Sequence, residues 1–202
     1  MDSFAIFGGS FDPPHLGHML IGRQIAETFG VGKVWFMPVR RSPLKDRGPI
    51  ASDRDRVEML RLSIGENSLF GISERELHRE GKSFTVDTLR ELRAEYPDAR
   101  ILFAAGMDSL LTLHAWKEPL ALLDLCEFVT FRRPMFDSSP SAADLGLPEP
   151  YASRLISNIF DGRLFDVSSS EIRERIATGR DIRYLVSDPV ADYIQIHGLY
   201  RT

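Results

Sequence analysis

The sequence predicts an α/β fold built on a doubly wound, mainly parallel sheet. Short, nearly continuous apolar runs rich in β-branched and aromatic residues alternate along the chain with segments of helical period. That order is expected of repeated strand–helix–strand units with right-handed crossovers. The runs also lack a polar side, as strands covered by helices on both faces do.

Each element follows in turn. Phe4-Ala5-Ile6-Phe7 is the first strand. Residues 16–29 place Ile21, Ile25 and Phe29 at i, i+4 and i+8, and Gly30 supplies the stop. Val34-Trp35-Phe36-Met37 is the second strand. Residues 53–64 align Val57, Leu60 and Ile64 on one stripe behind Ser52, an N-cap residue. Leu69 to Ser73 is a weaker strand. Residues 85–96 bring Val86, Leu89 and Leu92 together, and Pro97 forbids continuation. Ile101 to Ala105 and Phe128 to Phe131 are further strands. Pro134, Pro140, Pro148 and Pro150 among Ser, Ala and Asp mark residues 134–150 as a long loop rather than an element. Arg163 to Val167 is a second weak strand. Residues 168–177 and 188–196 read as short helices, which makes 168–202 a helical C-terminal part. With no internal repeat and no domain-length linker, residues 1–202 are expected to form a single domain.

Composition narrows the function classes. The chain has 202 residues, 43% hydrophobic and 27% charged, which excludes a disordered or collagen-like class. Cys126 stands alone, so an internal disulfide framework and a Cys-rich zinc module are ruled out. Lys and Arg number 25 against 29 Asp and Glu, a net charge of −4. That balance disfavours broad binding to nucleic acid or to a membrane surface, both of which need a basic face. A small, locally basic pocket remains open, and so does the oligomeric state. No run approaches the ~18 apolar residues of a membrane span, and Met1-Asp2-Ser3-Phe4 has no basic leader. A soluble cytoplasmic protein is expected.

Doubly wound sheets bind ligands beyond the carboxyl ends of their strands, where strand order reverses. Chemistry is therefore expected in the loops after the first and fourth strands. The first loop reads Gly8-Gly9-Ser10-Phe11-Asp12-Pro13-Pro14-His15-Leu16-Gly17-His18. Two glycines allow close backbone approach to a ligand, and the following helix N-terminus offers N–H groups to an anion. His15 and His18 fall on one face, and Gly17 removes a side chain that would crowd them. The dinucleotide fingerprint G-x-G-x-x-G is absent, which speaks against hydride chemistry. Gly81-Lys82-Ser83 mimics the end of a phosphate-binding P-loop, but Glu76 stands where its first glycine is needed. A His-x-x-His pair can hold zinc, but such sites usually add a third ligand, so a phosphate role leads and no protein metal site is expected.

Gly8-Gly9-Ser10-Phe11-Asp12-Pro13 followed by His15-x-Gly17-His18 resembles the signature of the H-x-G-H nucleotidylyltransferases. Val167-Ser168-Ser169-Ser170-Glu171-Ile172-Arg173 resembles that superfamily's second motif, I-S-S-T-x-I-R. Ser168-x-x-Glu171 is also a capping box in its own right, with Glu171 turned back onto the cap and Ile172 and Ile176 inward. Three further segments resemble the bacterial nicotinate mononucleotide adenylyltransferases. They are Lys82-Ser83-Phe84-Thr85-Val86-Asp87-Thr88-Leu89, Gly106-Met107-Asp108 with Trp116 eight residues after the Asp, and Met37-Pro38-Val39 leading to Pro43-Leu44-Lys45.

The resemblance implies a Rossmann-like nucleotidylyltransferase fold. It also implies AMP transfer from ATP, with Mg2+, to nicotinate mononucleotide, giving nicotinate adenine dinucleotide and pyrophosphate. By the same resemblance His18, with His15 beside it, would stabilise the α-phosphate, and Arg173, Lys45, Ser169 and Ser170 would hold the β- and γ-phosphates. Gly8, Gly9, Ser10, Phe11, Gly17 and Gly106 would belong to the ATP site. Asp108 would accept from the ribose hydroxyls, and backbone near Arg132 and Arg133 would read adenine. Backbone near Thr85 and the residue after Trp116 would take the nicotinate carboxylate, Lys117 adding attraction, while Trp116 stacks on the pyridine ring. Taken without the resemblance, Phe84, Val86 and Leu89 are core, and Asp87 and Thr88 are helix-start residues. Arg56 then reads equally well as a solvated arginine and Met59 as a core methionine. Leu44 stands where the family often has His, and Ser170 where it usually has Thr. Rival readings are a nicotinamide mononucleotide or phosphopantetheine adenylyltransferase, or a catalytically silent nucleotide-binding regulator.

Overall fold

The computed structural model describes residues 2–40, 48–79, 81–132, 140–162 and 166–201. Its strands are β1 (Ser3–Gly9), β2 (Val34–Pro38), β3 (Phe70–Ile72), β4 (Arg100–Gly106), β5 (Glu127–Arg132) and β6 (Ile159–Asp161). All pair in parallel, in the order β3-β2-β1-β4-β5-β6. Strand order therefore reverses between β1 and β4, and a crevice opens where these two end. Helices α1 (Leu16–Phe29), α2 (Asp53–Ile64), α3 (Thr85–Glu95), α4 (Met107–Leu111) and α5 (Pro119–Leu125) connect the strands. Helices α6 (Ala142–Leu145) and α7 (Tyr151–Ser157) precede β6, and α8 (Ser169–Ala177) and α9 (Asp188–Ile196) follow it. Among the described residues no helix is long and apolar enough to cross a membrane.

The pleat distributes the strand side chains between two cores. Phe4, Ile6, Ile101, Phe103, Ala105 and Phe128 face one side, against α3, α4, α5 and α7. Ala5, Phe7, Leu102, Ala104, Val129 and Phe131 face the other, where α1 and Leu60 of α2 cover them. A third core lies off the sheet. There Met59 of α2, Ile172 of α8, Val190 and Ile194 of α9, and Tyr200 pack together.

Local chemistry sets the helix ends. Gly30 closes α1 with φ of 65°, a left-handed conformation open to glycine. Ser52 caps α2 by accepting the Asp55 N–H at 3.1 Å, and Ser168 caps α8 by accepting that of Glu171 at 3.1 Å. Two expectations need correction. The stretch predicted as loop over 134–150 holds α6, opened by a Ser141–Asp144 capping box and closed by Gly146, and runs into α7. Pro148 and Pro150 do not break these helices; they set their boundaries, since Pro150 is the N-cap residue of α7. Among the described residues the last strand is Ile159–Asp161, and of the predicted run Arg163 to Val167 only 166 and 167 are described, neither of them in a strand. Three residues are too short a run to show a pattern, and 163–165 and 134–139 lie outside the described residues.

Candidate active site

The first loop is held from four sides. Gly9 accepts the Val39 N–H at 3.0 Å, which ties the end of β1 to the end of β2. Arg56 is fully buried; its Nη1 donates to the Ser10 carbonyl at 2.7 Å and its Nη2 to Asp53 Oδ1 at 2.6 Å. A Cβ on Gly9 would stand 2.8 Å from the Phe11 ring, so only glycine lets that ring fold back under the loop. Phe11 has φ of 48°, a strained value for a non-glycine residue, and is buried. The Asp12 carboxylate accepts the N–H groups of Ile50 and Ala51 and the Tyr200 hydroxyl. From α8, the Ser169 hydroxyl donates to the Pro13 carbonyl at 2.8 Å and Arg173 Nη1 donates to the Asp12 carbonyl at 2.7 Å.

His15 and His18 stack with ring centroids 3.6 Å apart and planes 25° from parallel. Both are buried. The His15 backbone N–H donates to His18 Nδ1 at 3.1 Å. A ring that accepts on Nδ1 carries its proton on Nε2, so His18 presents an N–H donor at its far nitrogen. Phe11 packs edge-on against His18 at 4.9 Å and fixes the ring plane. A Cβ on Gly17 would stand 3.0 Å from His15 Nδ1 and 3.2 Å from Val167, so glycine lets the pair and the α8 lead-in close together. The N-terminus of α1 is less open than the sequence implies. The Leu16 N–H donates to the Leu185 carbonyl at 3.0 Å and that of His18 to the His15 carbonyl at 2.9 Å.

Beside this loop lies a cavity of about 210 Å³. Gly8, Gly9 and Ser10 form its wall toward the histidines, Thr85 and Val86 the wall at the start of α3, and Trp116 and Lys117 the wall after α4. Among the described residues no side chain caps α3, whose N-terminal turn meets the cavity and carries one acid, Asp87, paired to Lys117. Trp116 stands edge-on to Phe103 and Phe128, and its buried Nε1 has no partner among the described residues. Glu76 also reaches this wall, 2% exposed, and its Oε1 accepts the Thr88 hydroxyl at 3.1 Å. Burial holds its carboxyl pKa above the ordinary value of 4.5, against the opposing pull of Thr88 and Arg79. Arg79 in turn donates to Thr88 Oγ1 at 3.0 Å.

The cytidylyltransferase-like family matches residues 6–175. The chain is 39% identical to a probable nicotinate-nucleotide adenylyltransferase of Halalkalibacterium halodurans, covering 100% of this chain and 93% of that one. A protein of the same description from Exiguobacterium sibiricum is 39% identical, over 98% of both chains. This chain belongs to the nicotinate-nucleotide adenylyltransferases. Its fold is also that of the Plasmodium falciparum nicotinic acid mononucleotide adenylyltransferase solved with NaAD, at a TM-score of 0.78 and 20% identity over 99% of this chain and 98% of that one.

The nicotinate-nucleotide adenylyltransferase fold gathers the residues singled out in the sequence into three groups around the ends of β1, β4 and β5. His15, Gly17, His18, Ser169, Ser170 and Arg173 surround the first loop. Gly8, Gly9, Ser10, Thr85, Trp116 and Lys117 line the cavity. Gly106, Asp108 and Arg132 stand at the ends of β4 and β5, with Asp108 exposed in the first turn of α4. Lys45, Leu44 and Arg133 lie outside the described residues. The Phe11 side chain is core and packs edge-on against His18. Lys117 is already paired: its Nζ donates to both Asp87 oxygens, at 2.9 and 3.1 Å. Asp87 and Thr88 are therefore more than helix-start residues. Glu171 does not turn back onto its cap; its carboxylate stands 4.0 Å from Arg175. Arg56 is not solvated, while Met59 is core as read. Glu76, Asp12 and Tyr200 were not singled out as site residues, and each joins the site through contacts distant in sequence.

Proposed function

We propose that this chain transfers AMP from ATP to nicotinate mononucleotide, releasing pyrophosphate and forming nicotinate adenine dinucleotide, in the cytoplasm and as one domain. What carries the proposal is the oriented histidine pair, joined through one loop both to the hydroxyl-and-arginine cluster of α8 and to the Trp116 cavity. Its relatives' names give the reaction class, and the site supplies the parts.

An oxygen of the acceptor's 5′-phosphate attacks the α-phosphorus of ATP, and the bond to the β-phosphate oxygen breaks. With a second pKa of ~6, that phosphate is largely dianionic at neutral pH and needs no general base. The barrier is charge: two polyanions meet while negative charge builds on the α-phosphate. Positioning and electrostatic stabilisation therefore do the catalysis. His18 Nε2–H is the donor for the α-phosphate, held in plane by Phe11 and by the His15 amide. Arg173, Ser169 and Ser170 are assigned to the departing pyrophosphate. In the cavity the uncapped N-terminal turn of α3, at Thr85, suits a carboxylate, and Trp116 suits a flat pyridine ring. Lys117 shares its charge with Asp87, so the carboxylate relies on backbone amides more than on that ammonium. Mg2+ would enter with the triphosphate, as part of the substrate, and would offset its negative charge.

His18→Ala tests the central role. It is expected to lower kcat for nicotinate adenine dinucleotide formation by about 10²-fold, the scale of one lost transition-state donor, with the circular dichroism spectrum unchanged. Wild-type turnover in this variant would remove His18 from the chemistry.

A further inference from the structure

The buried carboxylate of Asp12 accepts three hydrogen bonds. Ile50 N–H donates to Oδ2 at 2.7 Å, Ala51 N–H to Oδ1 at 3.0 Å, and the Tyr200 hydroxyl to Oδ1 at 2.7 Å. The third donor comes from 188 positions away. Arg173 stands beside the same group without pairing to it closely. Its Nη1 donates to the Asp12 carbonyl at 2.7 Å but lies 4.0 Å from Oδ2, and its Nη2 donates to the Ser170 hydroxyl at 3.1 Å. A guanidinium beside a buried carboxylate would ordinarily close into a two-pronged ion pair. Here neutral donors already occupy the carboxylate, and the guanidinium rests on neutral acceptors.

We propose that Tyr200 is a positioning residue of the triphosphate site: its hydroxyl, bonded to Asp12 Oδ1, helps hold the carboxylate in the orientation that leaves Oδ2 4.0 Å from Arg173 Nη1, so that the charge of Arg173 remains available to the β- and γ-phosphates. This rests on the function proposed above. Burial, and then the charge of Asp12, hold the Tyr200 phenol well above its usual 10.0, so it is a donor throughout the working pH range. The residue also holds φ of 62°, a left-handed conformation that a bulky side chain adopts only when its surroundings impose it. Ring and hydroxyl have separable tasks. The ring packs in the third core with Ile172, next to Arg173 on α8, while the hydroxyl alone reaches Asp12.

Tyr200→Phe removes the hydroxyl and keeps the ring. Val190→Ala is the packing control, since Val190 is fully buried in the same core and touches no phosphate-site group in this account. ATP affinity is read by calorimetric titration without acceptor, and KM is read for both substrates. In Tyr200→Phe the ATP Kd and KM should rise roughly 3- to 30-fold, the range of couplings carried through packed contacts, with the KM for nicotinate mononucleotide unchanged. Val190→Ala should lower Tm at least as far and leave ATP affinity alone. Unchanged ATP affinity in Tyr200→Phe, or an equal loss in Val190→Ala, would overturn the proposal and leave Tyr200 a packing residue. A wild type that releases no pyrophosphate with any mononucleotide would overturn the functional reading instead, and the ATP titration would still decide the role of Tyr200.

Discussion

At the scale of single residues, proton placement and charge pairing decide the chemistry. The His15 amide assigns the His18 proton to Nε2, and Asp87 holds the Lys117 ammonium at the cavity rim. Glu76 is the group whose environment most directly yields a pH prediction. Its native carboxyl keeps a proton to higher pH than the ordinary 4.5, so the native state loses stability as pH rises from 4.5 through that raised value, and the loss persists above it. Glu76→Gln keeps an oxygen for the Thr88 hydroxyl and removes the charge. Its stability relative to wild type, from urea midpoints, should therefore rise as the pH climbs above the ordinary 4.5. Parallel pH dependence of the two proteins would show that Glu76 ionises as it does in the unfolded chain. The histidine pair was legible in the sequence because its members lie three apart on one helix start. Arg56 and Glu76 were not, since their partners Ser10 and Thr88 lie 46 and 12 positions away and composition carries no trace of such contacts.

At the scale of elements, the site depends on helix starts. The N-termini of α1, α3 and α8 all face the crevice at the strand ends, and each is treated differently. Helix α1 gives two early amides to the carbonyls of Leu185 and His15, α3 is left uncapped toward the cavity, and α8 is capped by Ser168, with Ser169 and Arg173 bonded to the loop. Ser168→Ala removes the cap and should cost about 1 kcal/mol of stability. Because α8 carries the hydroxyls proposed to hold the triphosphate, the same variant should raise the KM for ATP more than that for the acceptor. A thermal melt with no shift would show that the third core alone fixes α8. Strands and helices with long apolar periods were readable from 4 to 105 and again at 128–131, while α4 and α5, of five and seven residues, were not. Elements between 140 and 161 were not: α6 and β6 have four and three residues, too short for a period to register, and prolines at helix boundaries look in sequence like prolines in a loop.

For the whole molecule, two features combine. The reversal of strand order between β1 and β4 places the crevice, and the third core brings the C-terminal helices back onto the first loop, so Ser169, Arg173 and Tyr200 meet residues 12 and 13. The first feature was legible, because alternating runs imply a doubly wound sheet. The second was not, because nothing in residues 188–201 marks them as partners of Asp12. The central claim concerns what this assembly does, and acceptor choice tests it most directly. Pyrophosphate release would be measured with ATP and Mg2+ against nicotinate mononucleotide, nicotinamide mononucleotide and phosphopantetheine in parallel. The account predicts a strong preference for nicotinate mononucleotide. Equal rates with the acid and amide mononucleotides, or silence with all three acceptors in a folded protein that still binds ATP, would contradict it.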